Sequence, residues 1–454
     1  MNMRQVSAES MGTRPLLPLI LTLSSPIMLS LLVQSLYNII DSVYISHYDS
    51  NGLTALSLAF PVQTLITAVA SGTGAGTNII IAKALGANDK KNASSTAFNG
   101  FVLSLINWSF FVIIGILILE PYFSIFTANT EVASLGLKYL NIILLFSIAP
   151  FTENVAVRIL QATGNTILPM IFQSTAALLN LILDPVFIWG FGVIPAMGIS
   201  GAAIATVLSQ FLSATLAVIT VFFKQTVLTV SFRIPSFDLI KEIFVTGLPS
   251  VLGMALVSAY ISGLNAVLAR FSEDAVSSLG IYYKLQTFLL IPTYGLNQGV
   301  TPIMGFNYGA KKYKRMWYTL WYSLAISTVT LVAGTLCFCL FTREILLLFH
   351  ASDSLMYTGI PALRIISTSF PFFGLTILMP TLFQSTGYIR QNIIITLLRE
   401  VFLLVPIAWA FSHFGLIYTW LTFPISESIA AFLTCYYTYV LFRGPLAYRR
   451  LSPE

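Results

Sequence analysis

Four polar side chains inside otherwise apolar runs are the ones best able to do chemistry. Asn38 and Asp41 lie in the first run, and Asn180 and Asp184 in the segment Asn180-Leu181-Ile182-Leu183-Asp184-Pro185. An acid in a lipid-embedded stretch is costly and marks a functional site unless a partner explains it. Asn180 and Asp184 are four residues apart and share one helix face, and Asn38 and Asp41 do likewise. Asp41 and Asp184 each fall five or six residues before the outer end of their helix, about 8–9 Å below the same surface at 1.5 Å per residue. Two acids and two carboxamides can therefore converge on one pocket. Burial and mutual repulsion there would let a proton be taken up on one side and released on the other. The oxygen set of Asp41, Asn180 and Asp184 equally suits sodium, a hard cation. The competing reading is structural: Asp184 bonds a neighbouring helix beside a kink at Pro185.

The elements that must position these residues are membrane spans. The chain has 454 residues, 56% of them hydrophobic and 9% charged, with a mean hydropathy of +0.84. Apolar segments of 20 to 30 residues recur from Leu16 onward, long enough to cross a hydrocarbon core of about 30 Å. They are continuous rather than alternating, which excludes a barrel. Twelve spans are expected, at 16–46, 54–82, 93–119, 131–157, 166–190, 199–223, 238–269, 276–306, 316–342, 355–385, 391–412 and 416–442. The first is too long and too polar for a signal peptide. An even count puts both termini on one side. With that side cytoplasmic, sixteen Lys and Arg lie inside, from Arg4 to Arg450, against Arg270, Arg343 and the helix-end Lys138 outside. This asymmetry sets both termini in the cytoplasm and accounts for the net charge of +6 without a nucleic-acid partner.

The second half repeats the first at a shift of 223 residues: Pro26 falls on Pro249, Gln63 on Gln286, Gly72 on Gly295, Gly76 on Gly299 and Gln161 on Gln384. Two parallel six-helix lobes with a cleft between them, the plan used for alternating access, are the economical architecture. The expected organisation is an N-terminal tail at 1–15, an N-lobe at 16–223, a basic linker at 224–237, a C-lobe at 238–442 and a tail at 443–454. The same shift places Asp41 on Leu264, Asn180 on Leu403 and Asp184 on Ile407, so cation coupling is assigned to the first lobe alone.

The other ionisable residues within spans are Glu153, Arg158, Lys284, Arg364, Arg399, Glu400 and Glu427. Glu153 and Arg158 could form a gate or an ion pair, and Arg399-Glu400 reads the same way. Lys284 could repel or relay cations, or snorkel outward. Gln34 and Tyr37 precede Asp41 on the same helix and join Glu153, Arg158 and Lys284 as candidates for gating or substrate contact. The three cysteines give no disulfide framework and no metal spacing. His47, His350 and His413 fall at outer helix ends. Gly72-Thr73-Gly74-Ala75-Gly76 follows no strand, so it reads as close helix packing rather than a nucleotide loop. No nucleophile or metal motif of an enzyme is present.

The stretch Gln34 to Ile45, QSLYNIIDSVYI, resembles the first-helix signature of the multidrug and toxic compound extrusion (MATE) transporters. Arg158-Ile-Leu-Gln-Ala-Thr-Gly164, Asn180 to Pro185 and Gly305-Phe-Asn-Tyr-Gly-Ala310 resemble the family's motifs at the ends of spans 4 and 8 and in span 5. The likeness covers nearly the whole chain and is nearest the bacterial drug and cation extruders. It implies an all-α membrane fold of twelve helices in two pseudo-symmetric six-helix lobes arranged as a V. It further implies a cofactor-free monomer in the bacterial cytoplasmic membrane that exports small amphipathic, often cationic drugs or dyes against protons or sodium. Residues matching Asp41, Asn180 and Asp184 form the N-lobe cation site in the family. One departure is that Pro249 to Ala269 carries no acid, whereas some members have one on span 7. A flippase for a lipid-linked precursor is the rival reading. It should show a strongly basic central cavity, whereas the cations here are scattered.

Overall fold

The computed structural model describes residues 8–224, 227–230 and 234–443, without the side chains of Ser46 and Ser50. Arg4, Arg233, Arg449 and Arg450, with most of both tails and part of the linker, lie outside the described residues.

The described chain is helical. Its first half runs α1 (Leu16–Tyr48), α2 (Ser50–Gly86), α3 (Lys90–Phe126), α4 (Thr130–Leu145), α5 (Ile148–Ala162), α6 (Ile167–Ile188) and α7 (Ile199–Ile219). The second half runs α8 (Phe237–Leu268), α9 (Glu273–Gly309), α10 (Tyr313–Leu340), α11 (Thr342–Leu348), α12 (Asp353–Ser367), α13 (Phe370–Thr386), α14 (Ile389–Leu397), α15 (Leu404–Ser412), α16 (Leu416–Trp420) and α17 (Thr422–Arg443). A 3₁₀ turn, Ala8–Gly12, precedes α1, and π-helical turns follow α7 at Thr220–Lys224 and separate α14 from α15 at Leu398–Leu403. Side-chain caps set several helix starts by accepting from otherwise orphaned backbone N–H groups. Asn129 caps α4, Ser272 caps α9 and Ser352 caps α12.

Among the described residues, nine helices and two bent helix pairs are long and apolar enough to cross a membrane. The protein is therefore a multi-pass membrane protein. The expected span at 276–306 is continuous helix in α9, but Lys284, Gln286, Asn297, Gln298 and Asn307 leave it short of the same hydropathy. The bent pairs are α4 with α5, at 44°, and α12 with α13, at 45°. Pro150 and Pro371 stand just inside α5 and α13. Each lacks the N–H that would continue the preceding helix, so one span becomes two helices. Pro185, by contrast, sits in the last turn of α6, which ends at Ile188, so little helix remains beyond it to bend.

The chain divides into two compact units, one holding Leu29–Met254 and the other Met11–Met28 with the chain from Ala255 onward. The division falls inside α1 and inside α8. In the first unit, a Cβ on Gly72 would overlap Val251 and one on Gly76 would overlap the carbonyl oxygen of Ile243. In the second unit, a Cβ on Gly295 would overlap Met28 and one on Gly299 would overlap Ser24. Each pair of glycines lets two helix backbones approach without intervening side chains. The two contacts share one register, since Gly72, Gly76 and Val251 are carried onto Gly295, Gly299 and Met28 by the 223-residue shift in opposite directions. The glycine cluster is thus a helix contact rather than a ligand loop.

Each unit also has its own apolar core. In the first, Phe111, Phe123, Tyr139, Leu140 and Phe151 pack with Ala203 and Val207. In the second, Tyr282, Phe370, Phe373, Trp420 and Phe423 pack with Leu279 and Leu363. Gly76→Val should lower the midpoint of thermal unfolding in detergent by an amount equivalent to about 1–3 kcal/mol, because the backbone of Ile243 cannot yield as a flexible side chain would. Gly280→Ala meets nothing within 4 Å and should leave that midpoint unchanged or raise it.

Candidate functional site

The acids predicted to meet do so within the first unit. On α6, Asn180 and Asp184 are 2% and 1% exposed, and Asn180 Nδ2 donates to Asp184 Oδ1 at 3.2 Å, one helical turn away. Half-buried Asp41, on α1, lies in the field of Asp184. Asp41 Oδ1, Asp184 Oδ2 and Asn180 Oδ1 are buried with no hydrogen-bond donor. Two carboxylates are both acceptors, so their approach needs a proton or a cation between them.

Polar groups from other helices surround the pair. Tyr37, one turn before Asp41, lies beside Gln34 and in the field of Asp41, Asp184 and Glu153. Tyr139, on α4, accepts from Gln63 Nε2 of α2 at 2.8 Å and also faces Asp41 and Asp184. Glu153, on α5, accepts from Ser213 Oγ of α7 at 2.6 Å and lies beside Gln173 of α6. Ser30 of α1 in turn donates to Gln173 Oε1 at 3.0 Å. Three carboxylates thus share one region, and among the described residues none of them is ion-paired.

Several candidates are placed elsewhere. Asn38 is exposed, and the hydrogen bond recorded for it runs from Ser42 Oγ to its carbonyl oxygen, so it does not join the acids. Gln34 is exposed and reaches the site through Tyr37. Arg158 donates to Gln161 Oε1 at 3.3 Å and does not pair with Glu153. Five residues turn a helix through about 140° beyond a full circle, which sends the two side chains to different faces. Lys284 is exposed on α9 of the second unit and forms no ion pair among the described residues. His47 and His413 bond carbonyls one turn back, a local contact at a helix end.

Tyr139, Gln63, Ser213, Gln173 and Ser30 belong to the site but were not singled out from the sequence. Gln63 carried a signal through its match to Gln286, whereas a lone serine or tyrosine in a span carried none. Among the described residues no cluster of three or more His, Cys, Asp or Glu could hold a metal ion. A cavity of about 240 Å³ in the first unit is lined by Ile45, Tyr48, Asp49, Lys138 and Met197, beyond the acids rather than around them.

This arrangement of two half-chains matches a known family. The MatE family model matches residues 26–186 and again 249–410, so one pattern covers both halves. The chain belongs to the MatE family. It is a transport protein rather than an enzyme. An FAD transporter of Shewanella oneidensis is 26% identical over 435 residues, covering 93% of this chain and 94% of that protein. The multidrug export protein MepA of Staphylococcus aureus (strain MRSA252) is 26% identical over 437 residues, covering 94% of each. A crystal structure of MATE in the bent conformation aligns with a TM-score of 0.91 at 26% identity, over 98% of this chain and 100% of that one. A crystal structure of MATE in complex with MaL6 aligns with a TM-score of 0.88 at 27% identity, over 96% and 97%. The two-lobe, all-helical MATE fold follows.

Asn180→Leu removes the donor that supports ionised Asp184 and should destabilise the protein by about 1–3 kcal/mol. Thermal unfolding in detergent checks this.

Proposed function

We propose that the protein exports small amphipathic, cationic compounds from the cytoplasm in exchange for protons or sodium. Asp41 and Asp184, assisted by Asn180, hold the coupling cation. The observation that carries this reading is the pair of donorless carboxylate oxygens, Asp41 Oδ1 and Asp184 Oδ2, in a region with no basic partner. Such a pair binds a cation when exposed to high cation activity and gives it up when exposed to low activity, which is the requirement for coupling. One charge crossing 100 mV releases about 2.3 kcal/mol, enough for a concentration ratio of a few tens. The relatives named as multidrug exporters support the drug class, and the uncompensated acids of the first unit favour cationic over anionic cargo. The two repeat lobes, read in the sequence at 16–223 and 238–442, are the bodies that alternate access, the first half of α1 packing with the second unit and the first half of α8 with the first. Operation as a monomer in the cytoplasmic membrane, with both termini inside, belongs to the same reading.

The test is efflux of a cationic dye from proteoliposomes under separate proton and sodium gradients. The parent should respond to at least one gradient, and Asp41→Asn and Asp184→Asn should each reduce gradient-driven efflux at least tenfold while leaving the protein folded. Intact efflux in both variants would refute the coupling role. Transport of a flavin dinucleotide or a lipid-linked precursor in preference to the dye would replace the proposed cargo.

A further inference from the structure

The second unit buries a separate group of charges. Arg399 Nε contacts Glu427 Oε1 at 2.6 Å and Arg399 Nη1 contacts Glu400 Oε1 at 2.9 Å, with side chains that are 18%, 2% and 6% exposed for Arg399, Glu427 and Glu400. Glu427, on α17, has its other oxygen satisfied by Thr376 Oγ1 at 3.0 Å. The Arg399 guanidinium also lies 5.4 Å from the centre of the Phe373 ring. One guanidinium therefore faces two carboxylates. Glu427 is fully bonded, and the unbalanced charge falls on Glu400, whose Oε2 is buried and has no donor.

The surroundings of that oxygen are built rather than accidental. Tyr283 and Tyr260 both lie in the field of Glu400 and Arg399, and the Tyr282 and Tyr283 rings are 5.0 Å apart. The hydroxyls of Tyr282 and Tyr283 are buried without a hydrogen-bond partner. Tyr294, 43% exposed, also sits in the field of Arg399, Glu400 and Glu427 and gives the group an open side. Arg399 and Glu400 stand in the π-helical turn Leu398–Leu403. The first-unit counterpart, α6, is unbroken helix, with Ala176 and Ala177 at the equivalent positions. A π turn sacrifices regular helix bonding and often marks a functional position. Here it occurs in the copy and at the residues that carry the charge.

We propose that Glu400 is a second binding site for a small monovalent cation, proton or sodium, with Arg399 and Glu427 fixing its carboxylate and the Tyr283 hydroxyl as a further ligand. A triad of net charge −1 in an apolar bundle calls for one positive charge, and the donorless Glu400 oxygen with the Tyr283 hydroxyl beside it offers the place to put it. Sodium takes such oxygen donors directly, whereas a proton would sit on Glu400 itself. The site lies on spans 11 and 12, apart from the acids of spans 1 and 5. It rests on the transport reading only in giving the cycle a second coupled cation.

The test counts cations on purified full-length protein without any transported compound. One arm measures protons released into a sodium-free, weakly buffered solution between about pH 6 and about pH 8, above the ordinary carboxylate range. The other measures equilibrium binding of radiolabelled sodium. Glu400→Gln keeps the shape and one acceptor for Arg399, and should bind one cation fewer per chain than the parent in one of the two arms. Asp184→Asn should retain the Glu400 cation. A Glu400→Gln protein that matches the parent in both arms overturns the proposal, because a permanently ionised ion-pair partner would not exchange a cation in this window. Tyr283→Phe leaves the acid in place and should weaken the affected arm about tenfold. Unchanged affinity in Tyr283→Phe overturns the proposal if Glu400→Gln fails to fold. Loss of dye efflux with both cation counts as expected would refute the transport reading and leave this site standing.

Discussion

A buried carboxylate in a hydrocarbon setting must be given a positive charge, and among the described residues no basic side chain pairs with Asp41, Asp184 or Glu153. Asp41 and Asp184 lie in each other's field, Glu153 lies in the same region, and the groups around them are amides and hydroxyls. Neutral dipoles soften the burial of a charge without cancelling it. In the proposed role an incoming cation supplies the charge that these dipoles do not. An arginine at the same place would have stabilised the fold and removed the capacity to bind anything. The lack of a basic partner is what separates this site from a structural ion pair.

Holding two acids from α1 and α6 at matched depth depends on helices that keep their register, and the repeat shows how that is done. Gly72 and Gly76 receive the first half of α8 without a side chain between the backbones, and Gly295 and Gly299 receive the first half of α1 in the same way. Proline breaks at the start of α5 and of α13 bend the same span in each copy by nearly the same angle. These features are shared because both copies must satisfy every backbone group internally and pack without water to fill gaps. The charges are not shared, because they answer to function rather than to the bilayer.

Much of this was legible in the sequence, and the unread part has a physical cause. The i, i+4 relation of Asn180 and Asp184 follows from helix geometry alone, and the matched depth of Asp41 follows from rise per residue, so both survived into three dimensions. Spacing puts Asn38 on the helix face of Asp41, but residues three apart are turned about 60° from each other around the helix, and Asn38 is exposed. Glu153 finds Ser213, sixty positions away, rather than Arg158, five away. Arg399 and Glu400 were visible as neighbours in the chain, whereas Glu427 joins them from a different helix. Lys312 and Arg315 counted in the sequence only as inside-facing charges. In the structure they donate to the carbonyls of Gly12 and Met11, tying the start of the chain to the second unit. Contacts between distant segments need the tertiary fold, and one sequence without relatives carries no record of them.

The two copies therefore solve the burial of acids in opposite ways. The position of Glu153 in the first copy is that of Thr376 in the second, and Thr376 is the hydroxyl that donates to Glu427. One copy has an acid served by a serine hydroxyl where the other has a hydroxyl that serves an acid. Asn180 and Asp184 fall on Leu403 and Ile407, while Arg399 and Glu400 fall on Ala176 and Ala177, about one turn before Asn180 and two before Asp184. Had both copies kept acids at equivalent positions, the repeat alone would have explained them. The acids Asp184 and Glu400 stand seven residues, about two turns, apart in the repeat frame, with a guanidinium beside one and none beside the other, so the repeat does not account for either set. The first set is an unneutralised pair of carboxylates, and the second is a triad whose single guanidinium leaves one carboxylate oxygen unserved.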